Sequence, residues 1–359
     1  MDVTAPVHIL ALAWIDLPAQ LGTIFYFIVL PLLLLVGIGW LLQRTFGLDI
    51  LTLRRLNFYF VMPGIIFCSL VQAELRADDV VAVVAFALAV QLVLGSLTWM
   101  LSVARRVPRD QRNAMVMTTI YYNSGNFGLP LQDLAFRAVG QSAFAQTQQV
   151  FVMATQNFTN FTFGIILAAG GSKRQSWRRN LGHMLRLPPV WVLLAAFVTI
   201  GLRDALTDVA WVNAAVRPFW QAMLYVQNAF VGVALLTLGA QLAYVGPQAA
   251  RHEGPRGAHA DAPGDGPRYP VAWSVALRLL GGPAVAAGLV YAFGLTGLLA
   301  QVLLISSASP TAINCMLLCL EFDNHPDFAA KAVLYSTLLS PITVTLVVFF
   351  AQSHILPGF

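Results

Sequence analysis

Long apolar stretches alternate with short charged stretches along almost the whole chain. A helix of about 20 apolar residues crosses the hydrocarbon core of a bilayer. The pattern predicts ten such spans, the first over residues 21–42 and the last over residues 328–352. The other eight cover residues 56–73, 80–104, 113–137, 143–169, 187–202, 224–245, 269–294 and 298–321.

The fourth and ninth spans each contain residues that break helices. Pro130 and Pro310 lie 180 residues apart, about half the length of the chain. Irregular backbone at membrane depth is tolerated only where protein or a water-filled cavity satisfies it, and matching interruptions in two halves of a chain point to a binding site. We therefore expect helices 4 and 9 to be broken and to cross near the midplane.

The interruptions carry amides and hydroxyls but no lysine or arginine. Such groups can bind an anion and release it, or they can merely satisfy the freed backbone. Ser309 is expected to cap a helix that starts at Pro310, whose N-terminus would attract an anion. The candidate substrate-binding residues are Asn123, Ser124, Asn126, Ser309, Pro310 and Asn314, and the candidate helix-breaking residues are Gly125, Gly128, Pro130 and Pro310.

Glycine and proline serve the break in different ways. Gly125 and Gly128 permit unusual backbone angles, and Pro130 prevents a continuous hydrogen-bond ladder. Amides elsewhere in the spans are assigned to interhelical hydrogen bonds by default. They include Gln156, Asn157, Asn160 and Gln241.

The amino-acid composition indicates whether the chain folds in water or in a membrane. Hydrophobic residues make up 58% of it and charged residues 10%, with a mean hydropathy of +0.72. A soluble domain carries about 25% charged residues. The chain is therefore predicted to be an all-α integral membrane protein, and residues 1–20 lack the basic start of a cleaved signal peptide.

The net charge of +5 reflects topology and does not indicate nucleic-acid binding. Ten spans would place 17 of the 21 basic residues on one side, which the positive-inside rule makes cytoplasmic. Both termini are then outside the plasma membrane. Arg278 is counted on the basic side, because its long side chain is expected to reach the surface.

Five spans in each half would make the two halves inverted repeats, since an odd number of spans starts the second repeat on the opposite side. The first repeat covers residues 1–172 and the second 187–352. A basic cytoplasmic linker, 173–186, joins them, and a flexible loop, 246–270, lies within the second. Residues 353–359 form a C-terminal tail.

No cofactor, metal site or enzyme activity is expected. The three cysteines have no neighbouring histidine, and the chain has no His-Glu-x-x-His helix. Asp133 is a candidate for proton coupling, because acids inside a membrane are often functional. Its place near the outer end of the span, four residues before Arg137, favours an ion pair instead.

Several segments together resemble the auxin efflux carrier family. Residues 123–131, Asn-Ser-Gly-Asn-Phe-Gly-Leu-Pro-Leu, are similar to the signature of its fourth span. Residues 60–66, 238–242, 308–312 and 335–343 are similar to its spans two, seven, nine and ten. The family often has a proline before the glycine of span seven, whereas this chain has none before Gly239.

The resemblance implies ten helices in two inverted five-helix repeats, with helices 4 and 9 crossing at the substrate site. Asn123, Asn126, Pro310 and Asn314 would lie at that crossing. It also implies secondary transport of small organic anions such as malate, malonate or auxin-like acids, by alternating access. The expected partners are such an anion and the lipid bilayer, and a homodimer stays open.

Two questions stay open from the residues. The fold also resembles bile acid:sodium symporters, so sodium coupling is an alternative to proton coupling or uniport. The scarcity of intramembrane acids favours the latter two. A membrane sensor on the same fold would bind the anion without transporting it.

Overall fold

The computed structural model describes residues 17–72, 76–169, 188–207, 210–251 and 270–353. Within these residues the fold consists of helices, with one isolated β-bridge and no strand. The helices are α1 (Leu17–Phe46), α2 (Ile50–Gln72), α3 (Ala77–Ala104), α4 (Arg109–Ile120), α5 (a π-helical turn, Ser124–Gly128, continued by Leu129–Arg137), α6 (Ser142–Ala168), α7 (Pro188–Thr207), α8 (Ala210–Arg251), α9 (Pro270–Ala292), α10 (Gly297–Ser307), α11 (Ile313–Glu321) and α12 (Pro326–Gln352).

Seven of the described helices, α1, α2, α3, α6, α8, α9 and α12, are long and apolar enough to cross a membrane. Shorter apolar segments lie in α7, at Trp191–Leu202, and in α10. Ten spans result only if α7 is also a span, if α4 and α5 together form one span, and if α10 and α11 together form another. The inverted repeat stays a prediction.

The loop predicted over residues 246–270 is wrong at its start. Helix α8 continues through Gly246 and Pro247 to Arg251, and α9 begins at Pro270. A proline within a helix removes one backbone hydrogen bond and can kink the helix without ending it. Residues 252–269, the linker 173–186, the N-terminal residues 1–16 and most of the tail, 354–359, lie outside the described residues.

The surface of the described helices is apolar and the interior contains many polar side chains. Leu92, Tyr225 and Ile342 are more than 60% exposed, whereas Gln132 and Gln149 are fully buried. Exposed apolar area of this extent needs an apolar solvent. The distribution fits a multi-pass membrane protein.

Glycines bring α1 and α8 unusually close together. A Cβ atom at Gly39 would overlap the backbone carbonyl of Leu236, and one at Gly239 would overlap that of Val36. Small residues at such crossings let membrane helices approach until their backbones touch. Helix α8 also contacts the π-helical turn of α5.

Arginine side chains lie over tryptophan rings at several places among the described residues. The guanidinium carbons of Arg44, Arg105 and Arg112 lie 5.3, 4.7 and 5.9 Å from the ring centroids of Trp40, Trp273 and Trp99 respectively. Tryptophan is enriched at membrane–water interfaces, where arginine meets the headgroups. All three arginines belong to the side that the charge distribution predicts to be cytoplasmic.

Candidate functional site

The chain is non-helical between α4 and α5 and between α10 and α11, and these two segments pair with each other. Tyr122 and Thr311 form an antiparallel bridge. The amide of Asn123 donates to the carbonyl of Pro310 at 2.8 Å, and that of Ala312 donates to the carbonyl of Tyr121 at 3.1 Å. The pairing satisfies backbone groups that would otherwise be left without partners inside the protein.

Side chains complete the pairing. The hydroxyl of Thr311 donates to the carbonyl of Thr118 at 2.9 Å, and the backbone amide of Thr311 donates to the hydroxyl of Ser336 at 3.1 Å. Gln149 donates to the carbonyl of Ser124 at 2.8 Å. Helices α6 and α12 therefore hold the crossing of the two segments from either side.

The predicted helix start at Pro310 is wrong. Helix α11 begins at Ile313, its N-cap is Ala312, and no side chain caps it. The backbone of Pro310 and Ala312 is used in the pairing with the other segment, so it cannot also form the first helical turn. Ser309 is fully buried, its hydroxyl has no partner among the described residues, and it caps nothing.

The expected roles of Pro130 and the glycines also need correction. Pro130 lies within α5, seven residues after the non-helical segment ends at Asn123. It is the second residue of Leu129–Arg137, a position at the start of a helical segment where proline is tolerated. Gly128 has ordinary helical angles, φ −65° and ψ −46°, and its Cβ would overlap the Gln149 amide. Gly125 and Gly128 therefore provide space and not unusual angles.

A cavity of about 370 Å³ opens at the crossing. Ligand pockets usually hold about 300–1,000 Å³. Five of the residues predicted to act at the site line the cavity, and eight of its lining side chains are carboxamides. The five are Asn123, Ser124, Gly125, Asn126 and Asn314, and the eight are Asn57, Asn123, Asn126, Gln156, Asn157, Asn160, Gln241 and Asn314. Ser309, Pro310, Gly128 and Pro130 do not line it.

Two helix N-termini converge on this cavity. Gly125 and Asn126 belong to the first turn of α5, and Ile313 and Asn314 to the first turn of α11. The first N–H groups of a helix have no partner within it and carry the positive end of the helix dipole. None of the described residues that line this cavity is acidic, and Arg54 and Arg55 of α2 line the same cavity. The lining therefore favours an anion.

Asn57 was not predicted from the sequence to be a site residue. It is buried in a π-helical turn of α2, Asn57–Val61, and donates to the side-chain oxygen of Asn126 at 2.8 Å. The sequence feature that could have indicated it is an amide near the start of an apolar run. Asn160 also begins a π-helical turn, Asn160–Gly164. Such turns insert a residue into the helix and are frequent at functional sites.

Several of the amides that line the cavity have a buried side-chain oxygen without a partner. Side-chain oxygens of Asn57, Gln156, Asn160 and Gln241 are buried without a hydrogen-bond partner among the described residues. Rotating an amide by 180° exchanges its oxygen and nitrogen, so each can offer an acceptor or a donor. Buried polar groups without partners in a cavity need water or a ligand.

Arg278 is the largest departure from the sequence interpretation. It does not reach the surface, since it is 0% exposed. Its guanidinium donates to the carbonyl of Thr119 at 3.0 Å and to that of Ser307, and lies 4.7 Å from the ring centroid of Tyr122. An ionisable residue inside a predicted span was the available signal. The π-helical turn Leu277–Gly281 places it.

Asp133 lies away from the cavity. Its carboxylate accepts from Arg137, as the spacing predicted, and Arg137 is 64% exposed. The described residues contain no group of three or more His, Cys, Asp and Glu side chains that could hold a metal ion. The site is thus built from amides, helix ends and arginines.

Comparison with known proteins identifies the family of the chain. The family described as "Membrane transport protein" matches residues 24–176 and 182–348. An uncharacterized transporter of Methanothermobacter thermautotrophicus is 25% identical over 324 residues, which are 89% of this chain and 95% of that protein. Auxin efflux carrier component 1 of Arabidopsis thaliana is 38% identical over 74 residues, and a probable auxin efflux carrier component 1c of Oryza sativa is 37% identical over 73.

Each plant match covers 20% of this chain and 12% of the plant protein. The match to the family, in contrast, runs through nearly every described helix. This chain belongs to the auxin efflux carrier family of membrane transport proteins.

Proposed function

We propose that this protein is a secondary transporter that moves a small organic anion across the membrane by alternating access. The single observation that carries the proposal is the amide-lined cavity of about 370 Å³, which the first turns of two helices also line. Amides and helix ends bind a carboxylate without the strong ion pair that would slow its release. Membership in a transport family makes transport, and not catalysis, the expected use of such a cavity.

The cavity offers a route to one side of the membrane. Arg55 is exposed and lines the cavity, so the cavity reaches the protein surface at this end of α2. Its charge would concentrate anions at the opening. We place this opening on the cytoplasmic side of the plasma membrane, because Arg54 and Arg55 belong to the basic side of the chain. The structure then corresponds to an inward-open state.

The proposed membrane arrangement has ten spans. Helix α4 with α5, and α10 with α11, each form one broken span, and the pairing of Tyr122 with Thr311 marks their crossing. Discontinuous helices of this kind place substrate near the midplane in many transporters. An inverted repeat and both termini outside complete the arrangement.

Counterflow in proteoliposomes tests the proposal. Vesicles containing the purified protein are loaded with unlabelled malate, malonate or indole-3-acetate and exposed to the same labelled acid. A carrier accumulates label transiently, whereas a sensor does not. Accumulation of at least one acid supports transport and identifies its class. Binding of an acid without any accumulation would contradict transport and favour the sensor.

A further inference from the structure

The crossing of the two segments has two electrically different sides. On one side the N-termini of α5 and α11 face the cavity. On the other side the C-terminal carbonyls of α4 and α10, those of Thr119 and Ser307, accept from one guanidinium. The C-terminal end of a helix carries partial negative charge. Arg278 is thus held where a free cation would be attracted.

Arg278 is charged without an acidic partner. No carboxylate of the described residues forms an ion pair with it. Among the described residues its guanidinium contacts two backbone carbonyls and the ring of Tyr122, which itself lines the cavity, and its Nε has no partner there. A buried charge normally requires a partner of opposite sign. Here the two helix ends and the aromatic ring take the place of an acid.

The local backbone makes room for this guanidinium. Arg278 lies in the π-helical turn Leu277–Gly281 of α9, which turns the side chain toward the crossing. Gly282 follows, and a Cβ atom there would overlap the guanidinium and lie 3.3 Å from the carbonyl of Ser307. Any larger residue at position 282 would displace Arg278 from its acceptors.

We propose that Arg278 is a built-in cation that takes the place of a coupling sodium ion at this crossing. In transporters with discontinuous helices, freed carbonyls and helix C-termini coordinate Na⁺. Here one guanidinium already uses such carbonyls, and its charge repels a second cation nearby. Arg278 is a positioning residue that holds the two segments together, and transport does not require Na⁺. The transport part of this inference rests on the proposed function, whereas the structural part does not.

Chemical rescue tests the structural part. Arg278→Ala leaves a space bounded by two carbonyls and the Tyr122 ring, which free guanidinium can fill. Low millimolar guanidinium chloride should raise the Tm of Arg278→Ala by a few degrees, because a ligand that binds only the folded state stabilises it. Wild type and Arg44→Ala, which removes an exposed arginine stacked on Trp40, should show no increase. No increase for Arg278→Ala, or an equal one for all three proteins, would overturn the inference.

Measurements on wild type and a charge-conserving variant cover the case in which Arg278→Ala does not fold. For wild type, and separately for Arg278→Lys, the Tm should be the same in Na⁺, K⁺ and N-methylglucamine at equal ionic strength. The counterflow rate of each protein should likewise not depend on which of these cations is present. A specific stabilisation or acceleration of wild type by Na⁺ would overturn the inference. If no acid is exchanged in any medium, the proposed function fails for these acids, and the Tm comparison still decides the role of Arg278.

Discussion

Asn57 and Asn126 are joined by a hydrogen bond of 2.8 Å between their side chains, although 69 residues separate them in the chain. Both lie in π-helical turns, and both line the cavity. Asn57 orients the amide of Asn126, and its own oxygen stays without a partner among the described residues. The pair therefore couples α2 to the first turn of α5 at the place where an anion would bind.

Replacing Asn126 with alanine should weaken the binding of the transported anion about tenfold or more. A hydrogen bond to a charged group contributes about 1.5–3 kcal/mol, and about 1.4 kcal/mol corresponds to a tenfold change in affinity. Asn57→Ala should have a smaller effect of the same kind, because it only frees the Asn126 amide. The measurement is the half-saturating concentration in the counterflow assay.

Gln72→Ala provides the matched control. Gln72 donates to Gln227 at 3.1 Å, so this pair also joins two helices through carboxamides, but neither residue lines the cavity. The control should leave the half-saturating concentration unchanged. Equal losses in Asn126→Ala and Gln72→Ala would show that the effect is on folding and would remove Asn126 from the site.

Gly125→Ala should change which acids are transported. A Cβ atom at Gly125 would lie 2.9 Å from Cε of Met62 and 3.2 Å from Sδ of Met153. Methionine side chains are flexible and can move aside, so the protein should still fold. The displaced methionine side chains would make the cavity smaller. Exchange of the bulkier indole-3-acetate should therefore fall more than exchange of malonate. Gly288→Ala, where a Cβ has nothing within 4 Å, is the control; a uniform loss for all acids would contradict this prediction.

Gly239→Ala should destabilise the protein substantially. Its Cβ would overlap the carbonyl oxygen of Val36 in the backbone of α1, and a backbone cannot move aside as a side chain can. Overpacking typically costs about 1–3 kcal/mol, and we expect the upper part of that range.

The control for Gly239→Ala lies two turns earlier in the same helix. A Cβ atom at Gly232 would have nothing within 4 Å, and alanine is preferred over glycine in a helix by about 1 kcal/mol. Thermal unfolding in detergent should therefore show a lower Tm for Gly239→Ala and an unchanged or higher Tm for Gly232→Ala. Similar Tm values for the two variants would argue against close contact of α1 and α8.

Asp133→Asn should leave transport and its pH dependence close to those of wild type. The carboxylate pairs with Arg137, whose side chain is 64% exposed whereas that of Asp133 is 10% exposed, and Asp133 does not line the cavity. Uptake driven by a pH gradient, measured across the pH range, provides the test. A variant that transports but has lost its response to pH would identify Asp133 as the proton-carrying group after all.

The positions of the helices could be predicted from the chain because hydropathy reports the solvent that each segment meets. The predicted span 80–104 and the observed helix Ala77–Ala104 end at the same residue, and 143–169 and Ser142–Ala168 differ by one residue at each end. Helix limits outside the bilayer were less accurate, as α8 shows, because polar residues there are tolerated equally well in helix and in loop.

Part of the lining of the cavity could be anticipated from the sequence, and for a physical reason. Asn123, Asn126 and Asn314 flank helix interruptions that glycine and proline make visible in a single sequence. Asn57 and Arg278 reach the same place from α2 and α9, and no local pattern encodes which residues of distant helices meet.

By itself, the sequence determined that the chain enters a membrane, where its apolar helices run, and that two polar interruptions lie half a chain apart. These properties depend on the composition of one segment at a time. Only the tertiary structure decided that the interruptions pair, that Pro310 forms a backbone contact instead of starting a helix, and that Arg278 turns inward. These outcomes depend on which backbone groups of separate segments satisfy each other inside the protein, where water cannot do so.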